Sequence, residues 1–244
     1  MRLIVFIRIF LIRGYSLLFF RKKSKVIFYH DIHSDNQHTN MSTSLSLFHK
    51  HISIIKESGY QIVPEITKEY GQVEICFDDA FLGLYENIKF IRTHNVFIHL
   101  FVISSFLERE GYLNANQLLE LNRSHLIKVS SHTHTHRILN HIDMLGVEKE
   151  LKESKVALEN LLNITVDSIC YPQGRFNKQI IHIAEKIGYK KQYSSLPGFF
   201  SDRFQHKVIR RSLVQFAQEQ EFKAILKGGD HILGLWYKFK HVKR

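Results

Sequence analysis

Residues 130–137 read SSHTHTHR and place His132, His134 and His136 at every second position. Upstream, the apolar run VEICFDD ends in the adjacent pair Asp78 and Asp79. Adjacent aspartates at a strand end point in different directions, so one can bind a metal while the other stays free as a base. His132 and His136 are four apart, and a single helical turn over them would put both imidazoles on one side. Two histidines and one aspartate, with open positions for water and substrate, form a catalytic zinc arrangement. Such an ion acidifies water and polarises a carbonyl oxygen, and the free aspartate takes the proton. This is metal-assisted hydrolysis of an amide or ester. Taken alone, an aspartate pair can cap a loop, and a chain with 16 histidines can cluster three on its surface. Both motifs in this order point to a site.

These residues must be held by a scaffold, and the pattern along the chain supplies one. The runs KVIFYH, VEICFDD, VFIHLFV, LIKVSSH, VDSICYP, YKKQYS and KVIRRSLV read as strands. Helical patterns alternate with them. The first carries Leu45, Phe48, Ile52 and Ile55 on one face and stops at Gly59. LYENIKFIRTHN, NANQLLELNR, the long MLGVEKELKESKVALENLLN and NKQIIHIAEKIG follow, with Gly188 as the last cap. Repeated strand–helix units predict a parallel sheet, and seven or eight of them predict an α/β barrel or partial barrel with its site at the strand C-termini. Three polar clusters fall at such ends: Asp78-Asp79, His132 to His136, and the stretch after Tyr171-Pro172. His99, alone in an apolar strand, reads as a hydrogen-bonded core residue.

The length of 244 residues suits one such domain, with no Pro/Gly-rich linker and no repeat. The formal charge of +11 would suit a nucleic-acid partner, but its placement argues against one. Residues 1–25 hold seven bases and no acid, and residues 235–244 hold Lys238, Lys240, Lys243 and Arg244 with no acid. The body between is neutral. Residues 3–20 are apolar and long enough to reach across a bilayer, but Arg8 and Arg13 interrupt them. An interfacial helix at 1–25 fits better than a span, followed by the body at 26–228 and a basic aromatic tail at 229–244 containing Trp236, Tyr237 and Phe239. The basic cluster after the helix favours the cytoplasmic side of a membrane, the alternative being an uncleaved anchor and export. Cys76 and Cys170 fall in strands and read as buried free thiols.

The motifs resemble the polysaccharide deacetylases, the NodB-homology group of carbohydrate esterase family 4. ICFDDAF resembles the family's T-F-D-D-G, and HTHTH its H-S/T-x-x-H. VIFYHDI resembles its Y-H opening and YPQGRFN its Y-P-Y-G-R-Y-N motif, with weaker likeness in GYKKQYSSLPG and VIRRSLV. The resemblance implies a distorted or incomplete (β/α)7 barrel and removal of N-acetyl or O-acetyl groups from a carbohydrate, such as a bacterial surface polysaccharide or its lipid-linked precursor. It implies Asp78 as general base and Asp79, His132 and His136 as ligands of a divalent metal, zinc by preference. Thr133 would brace the loop, and His134 would point elsewhere. The stretch Tyr171, Pro172 and Gln173 would face the oxyanion. Ala80 stands where Gly is usual, Gln173 where Tyr is usual, and Cys170 where many members carry Arg. Arg175 or Arg211 would then supply that charge to Asp78. The L-x-H motif of the general acid is not recognisable; His30 or His231 would replace it. The rival readings are a degenerate deacetylase fold that binds carbohydrate without turnover, and a basic membrane-surface or nucleic-acid adaptor, of which charge confined to the termini favours the membrane.

Overall fold

The computed structural model describes residues 2–18, 21–204 and 207–234. The aromatic-basic tail of Trp236, Tyr237, Phe239 and the four terminal bases lies outside the described residues. The strands are β1 (Lys25–Tyr29), β2 (Asp31–His33), β3 (Ser42–Ser44), β4 (Gln61–Ile62), β5 (Gln72–Asp79), β6 (Ile98–Val102), β7 (Ile127–Ser131), β8 (Ser168–Cys170), β9 (Lys191–Tyr193), β10 (Val208–Ile209) and β11 (Arg211–Leu213). The helices are α1 (Arg2–Leu18), α2 (Leu45–Glu57), α3 (Gly83–Glu86), α4 (Ile88–Thr93), α5 (Ala115–Asn122), α6 (Met144–Leu162), α7 (Lys178–Ile187) and α8 (Glu219–Leu226), with a 3-10 turn at Gly229–Leu233.

The main sheet runs β10-β9-β8-β7-β6-β5-β1-β11, with β4 added on β5, and every pair in it is parallel. Among the described residues it therefore has nine strands rather than the expected seven, two of them only two residues long. The barrel is not closed, because β10 and β11 form the two ends of the path. Arg210 separates them in sequence, and its buried guanidinium donates to Pro197 O at 3.2 Å.

Side-chain alternation divides the interior into two cores. Ile27, Tyr29, Ile75 and Phe77 face the helices, where Phe48 of α2 packs edge-on against Tyr29 (5.1 Å) and Phe77 (5.7 Å). Truncating so buried a ring to Ala costs ~3–5 kcal/mol. Val26, Phe28, Cys76, Phe101, Cys170 and Tyr193 face the barrel interior. Both cysteines are free and buried. All eight residues of β5 are buried, as in a parallel strand covered on both faces. Inside the barrel, His99 pairs with Glu74 (2.8 Å) and with Ser130 Oγ (2.7 Å).

Local signals set most helix ends. Ser44 caps α2, Asn114 and Gln117 form a capping box on α5, Asp143 caps α6, Asn177 caps α7, and Gly188 ends α7 in the left-handed conformation. The single helix expected over LYENIKFIRTHN is two, because Asn87 interrupts it and bonds Gly83 O (2.9 Å) through its amide. Helix α8 was not foreseen, although Phe222, Ile225 and Leu226 are spaced for one buried face. Helix α1 packs on α8 and on the 3-10 turn, with Ile12 fully buried.

Candidate active site

The C-terminal ends of β1, β5, β7, β8 and β11 surround one cavity of about 390 Å3. Its polar lining includes His30, Asp78, Asp79, His132, His136, Gln173 and Arg211. Ile12, Leu213, Ile225 and Leu233 add apolar wall, with Arg8 and Asp230 among them.

Strand β5 ends in two consecutive left-handed residues, Asp79 (φ 73°) and Ala80 (φ 66°). This conformation costs L-residues ~1–2 kcal/mol each and swings the Asp79 carboxylate onto the rim. Strand β7 delivers His132. The expectation of a helical turn over 132–136 is corrected, since Thr133 (φ 68°) and His136 (φ 60°) are left-handed and the segment is an irregular loop. The loop is held by its own polar groups and by α6. Ser131 Oγ accepts from Thr133 N (3.2 Å), and Thr133 Oγ1 accepts from His136 N (3.1 Å). The Glu150 carboxylate accepts from the amides of His134 (3.1 Å) and Thr135 (2.8 Å) and from the Thr135 hydroxyl. His134 turns outward onto Ser104 Oγ (2.9 Å).

In this loop geometry His132 Nε2 lies 3.5 Å and His136 Nε2 3.6 Å from Asp79 Oδ1. Ligand bonds of ~2.0–2.2 Å at tetrahedral angles give edges of roughly 3.3–3.6 Å, so the three atoms fit around one ion. Asp79 Oδ1 is buried without a hydrogen-bond partner, as a ligand atom would be. His132 Nδ1–H donates to Cys170 O at 2.8 Å, which leaves the Nε2 lone pair facing the same point. Burial lowers the His132 pKa to about 4 against the opposing pull of Asp78, so the ring is neutral at pH 7. Asp79, His132 and His136 thus form a group able to hold a metal ion.

Asp78 points into the barrel, where the Arg211 guanidinium grips it with Nη1–Oδ1 and Nη2–Oδ2 contacts of 2.7 Å each. Burial alone would raise the Asp78 pKa. The charge of Arg211 and its hydrogen bonds outweigh it and hold the carboxyl at about 2. Arg211 also donates to Ser194 O (3.0 Å), approaches Cys170 Sγ (2.7 Å) and stacks on Phe28. The Arg175 alternative is corrected. The chain leaves the left-handed Gln173 and Gly174 in an extended path, which carries the Arg175 guanidinium outward to His141 Nε2 (3.0 Å).

His30, just past β1, donates from Nδ1 to Gln215 Oε1 at 2.6 Å and keeps its other ring nitrogen for the cavity. Gln215 is itself anchored, since its carbonyl accepts from Thr43 Oγ1 (2.8 Å). His231 instead pairs with Asp202 (3.3 Å). Of the three oxyanion candidates, Tyr171 and Gln173 line the cavity and Pro172 is buried beside them. Tyr171 N–H is taken by Tyr193 O (3.0 Å) and its hydroxyl by Gln192 (2.6 Å), and Pro172 has no N–H. Neither can serve as a donor. Gln215, Arg8 and Ile12 escaped sequence reasoning, because nothing local marks a residue that reaches a site from another element.

The open parallel barrel thus carries an Asp-Asp, His-x-x-x-His rim at one cavity. The chain belongs to the polysaccharide deacetylase family, whose pattern its residues 65–191 match. YxkH of Bacillus subtilis (strain 168), a protein named for the same family, is 26% identical over 187 residues. The match covers 72% of this chain and 66% of that relative, so the chain spans just under two thirds of YxkH. Among solved structures, Streptococcus pyogenes deacetylase PplD in complex with acetate superposes with a TM-score of 0.72 at 20% identity. It covers 84% of this chain and 98% of its own. The polysaccharide deacetylase BC0361 of Bacillus cereus has the same TM-score at 22% identity, covering 84% and 69%. At these identities the likeness is one of fold.

Proposed function

We propose that the protein is a metal-dependent hydrolase that removes N-acetyl, or O-acetyl, groups from a carbohydrate. The observation that carries this reading is the buried, partnerless Asp79 Oδ1 set between two histidine nitrogens beside the ionised Asp78. Asp79, His132 and His136 would hold the divalent ion, and zinc suits an Asp/His/His donor set with open positions. When bound, such an ion supplies Lewis acidity to the acetyl carbonyl and lowers the pKa of water.

The remaining roles belong to the chain. Asp78 accepts the proton of the attacking water. Arg211 keeps it ionised and fixes its orientation at the expense of basicity, which is tolerable where the water is already acidified. Gln173, at the cavity wall, presents its backbone to the developing oxyanion. His30, oriented by Gln215, gives a proton to the departing amine. The test is acetate release from N-acetylated glucosamine oligomers, before and after chelation and with zinc restored. Release that stops with chelator and returns with zinc supports the reading. Oligomer binding without release under any metal would make the protein a carbohydrate-binding member of the family instead.

A further inference from the structure

Helix α1 joins the substrate cavity to an open apolar surface. One face is packed on the body: Ile12 and Ser16 are buried, and Arg8 forms an ion pair with Glu221 of α8. The helix comes so close to the 3-10 turn that a Cβ on Gly229 would lie 2.9 Å from Ile12 Cγ2. From this face Arg8 and Ile12 reach the cavity wall and meet Ile225 and Leu233 there.

The opposite face carries no cover among the described residues. Ile7, Phe10, Leu11, Leu17 and Leu18 are 48%, 69%, 43%, 79% and 79% exposed. At 100° per residue these five fall within roughly a third of the helix circumference. Leu213, on the cavity wall, is also 44% exposed. No described helix is long and apolar enough to cross a membrane.

Charge selects the occupant. The first acid in the sequence is Asp31, after seven bases. Arg8, Lys23 and Lys25 are paired with Glu221, Glu69 and Asp230. Arg13, Arg21 and Lys22 are exposed and have no acidic partner among the described residues. An apolar stripe edged by unpaired bases matches an anionic bilayer, where rings and alkyl chains enter the interface and the bases meet phosphates. A second copy of this chain would bring the same positive charge against itself.

We infer that α1 lies in the surface of an anionic membrane, its open face in the lipid and its buried face forming part of the cavity wall. The substrate is then an acetylated saccharide carried on a membrane-embedded lipid phosphate, its sugar reaching Asp78 and the metal group while its lipid stays in the bilayer. The substrate half of this inference rests on the deacetylase reading; the membrane half does not.

The test uses the full chain and two measurements. In the first, the protein is sedimented with phosphatidylcholine vesicles with and without phosphatidylglycerol. The expected result is binding at least about tenfold stronger to the anionic vesicles, weakened by salt and lost in Phe10→Glu/Leu17→Glu. In the second, acetate release from N-acetylglucosaminyl-diphosphoryl-polyprenol in those vesicles is compared with release from soluble chitotetraose. The lipid-borne sugar should be favoured about tenfold in kcat/KM, and the double variant should lose that advantage while keeping the soluble rate, which also shows that it is folded. Vesicle binding that is absent, or unchanged in the variant, overturns the membrane seat. So does a wild-type dimer that the variant dissociates, because the open face would then be a self-association surface. Equal rates on the two sugars overturn the substrate assignment. If neither sugar releases acetate with metal supplied while vesicle binding holds, the deacetylase reading falls together with the substrate, and the membrane seat stands.

Discussion

Arg211 and Asp78 meet in two parallel hydrogen bonds of 2.7 Å, delivered from strands β11 and β5 on opposite sides of β1. Both side chains are buried, so neither charge has water to fall back on. Arg211→Met leaves Asp78 charged and alone, and breaking a buried pair this way costs ~3–5 kcal/mol. Chemical denaturation should show that loss together with a fall in activity. Adding Cys170→Arg, which places a guanidinium where Cys170 Sγ now touches Arg211, should recover part of both.

Metal content separates the three histidines of the loop. His132→Ala and His136→Ala should each bind less than stoichiometric zinc by elemental analysis, whereas His134→Ala should bind a full equivalent. His134 spends its ring on Ser104 and faces away from the donor group. A full equivalent in His132→Ala would remove that residue from the ligand set.

Asp78→Asn should retain the metal and lose about 10²–10⁴-fold in acetyl release, the range for removal of a general base. It also leaves Arg211 buried opposite a neutral amide, so a melting curve should accompany the rate to separate chemistry from unfolding.

His30→Gln distinguishes an acid from a binding residue by leaving group. An amine needs a proton to depart, and 4-nitrophenolate does not. The variant should lose about 10²–10⁴-fold on an N-acetylated sugar and much less on 4-nitrophenyl acetate. Equal losses on both would make His30 a positioning residue. Gln215→Ala, which frees the ring from its 2.6 Å anchor, should weaken the same amide reaction to a smaller degree.

Stability should fall on mild acidification through His51. Its ring is buried between Tyr29 Oη (2.8 Å) and Ala217 O (2.7 Å), stacked on Phe222, and burial lowers its pKa to about 4 from the ordinary 6.5. Between those values the unfolded chain binds the extra proton, so the contribution is complete above pH 6.5 and is lost as the pH falls toward 4. The upper bound is about 3 kcal/mol. Urea titrations at pH 7 and pH 4.5 should show the drop in the wild type and a flatter dependence in His51→Gln.

The strands and most helices were legible because their signals are local: β-branched runs, a capping Asn or Asp, Gly188 at a helix end. The residues of the site were legible as motifs, yet their geometry was not. Four-residue spacing suggested a helical turn at His132–His136, and the left-handed Thr133 and His136 replaced it because Glu150, from a helix beyond the loop, binds its amides. The choice between Arg175 and Arg211 was equally hidden. Arg175 is nearer in sequence to the third motif, and only the order of strands around β1 shows that the distant arginine arrives. Gln215 and α1 reach the cavity through packing alone and leave no pattern to read.

The pairing of β11 with β1 also sets a clock. Asp78 and Arg211 are 133 residues apart, which a ribosome adding ~5–20 residues per second covers in roughly 7–27 s. A nascent chain has Asp79, His132 and His136 well before it has the guanidinium that pairs with Asp78. A chain that ends between residues 136 and 210 carries Asp79, His132 and His136 and an unpaired Asp78 carboxylate, and it cannot add β11 beside β1. The Asp78–Arg211 pair is therefore completed at the end of synthesis rather than along it.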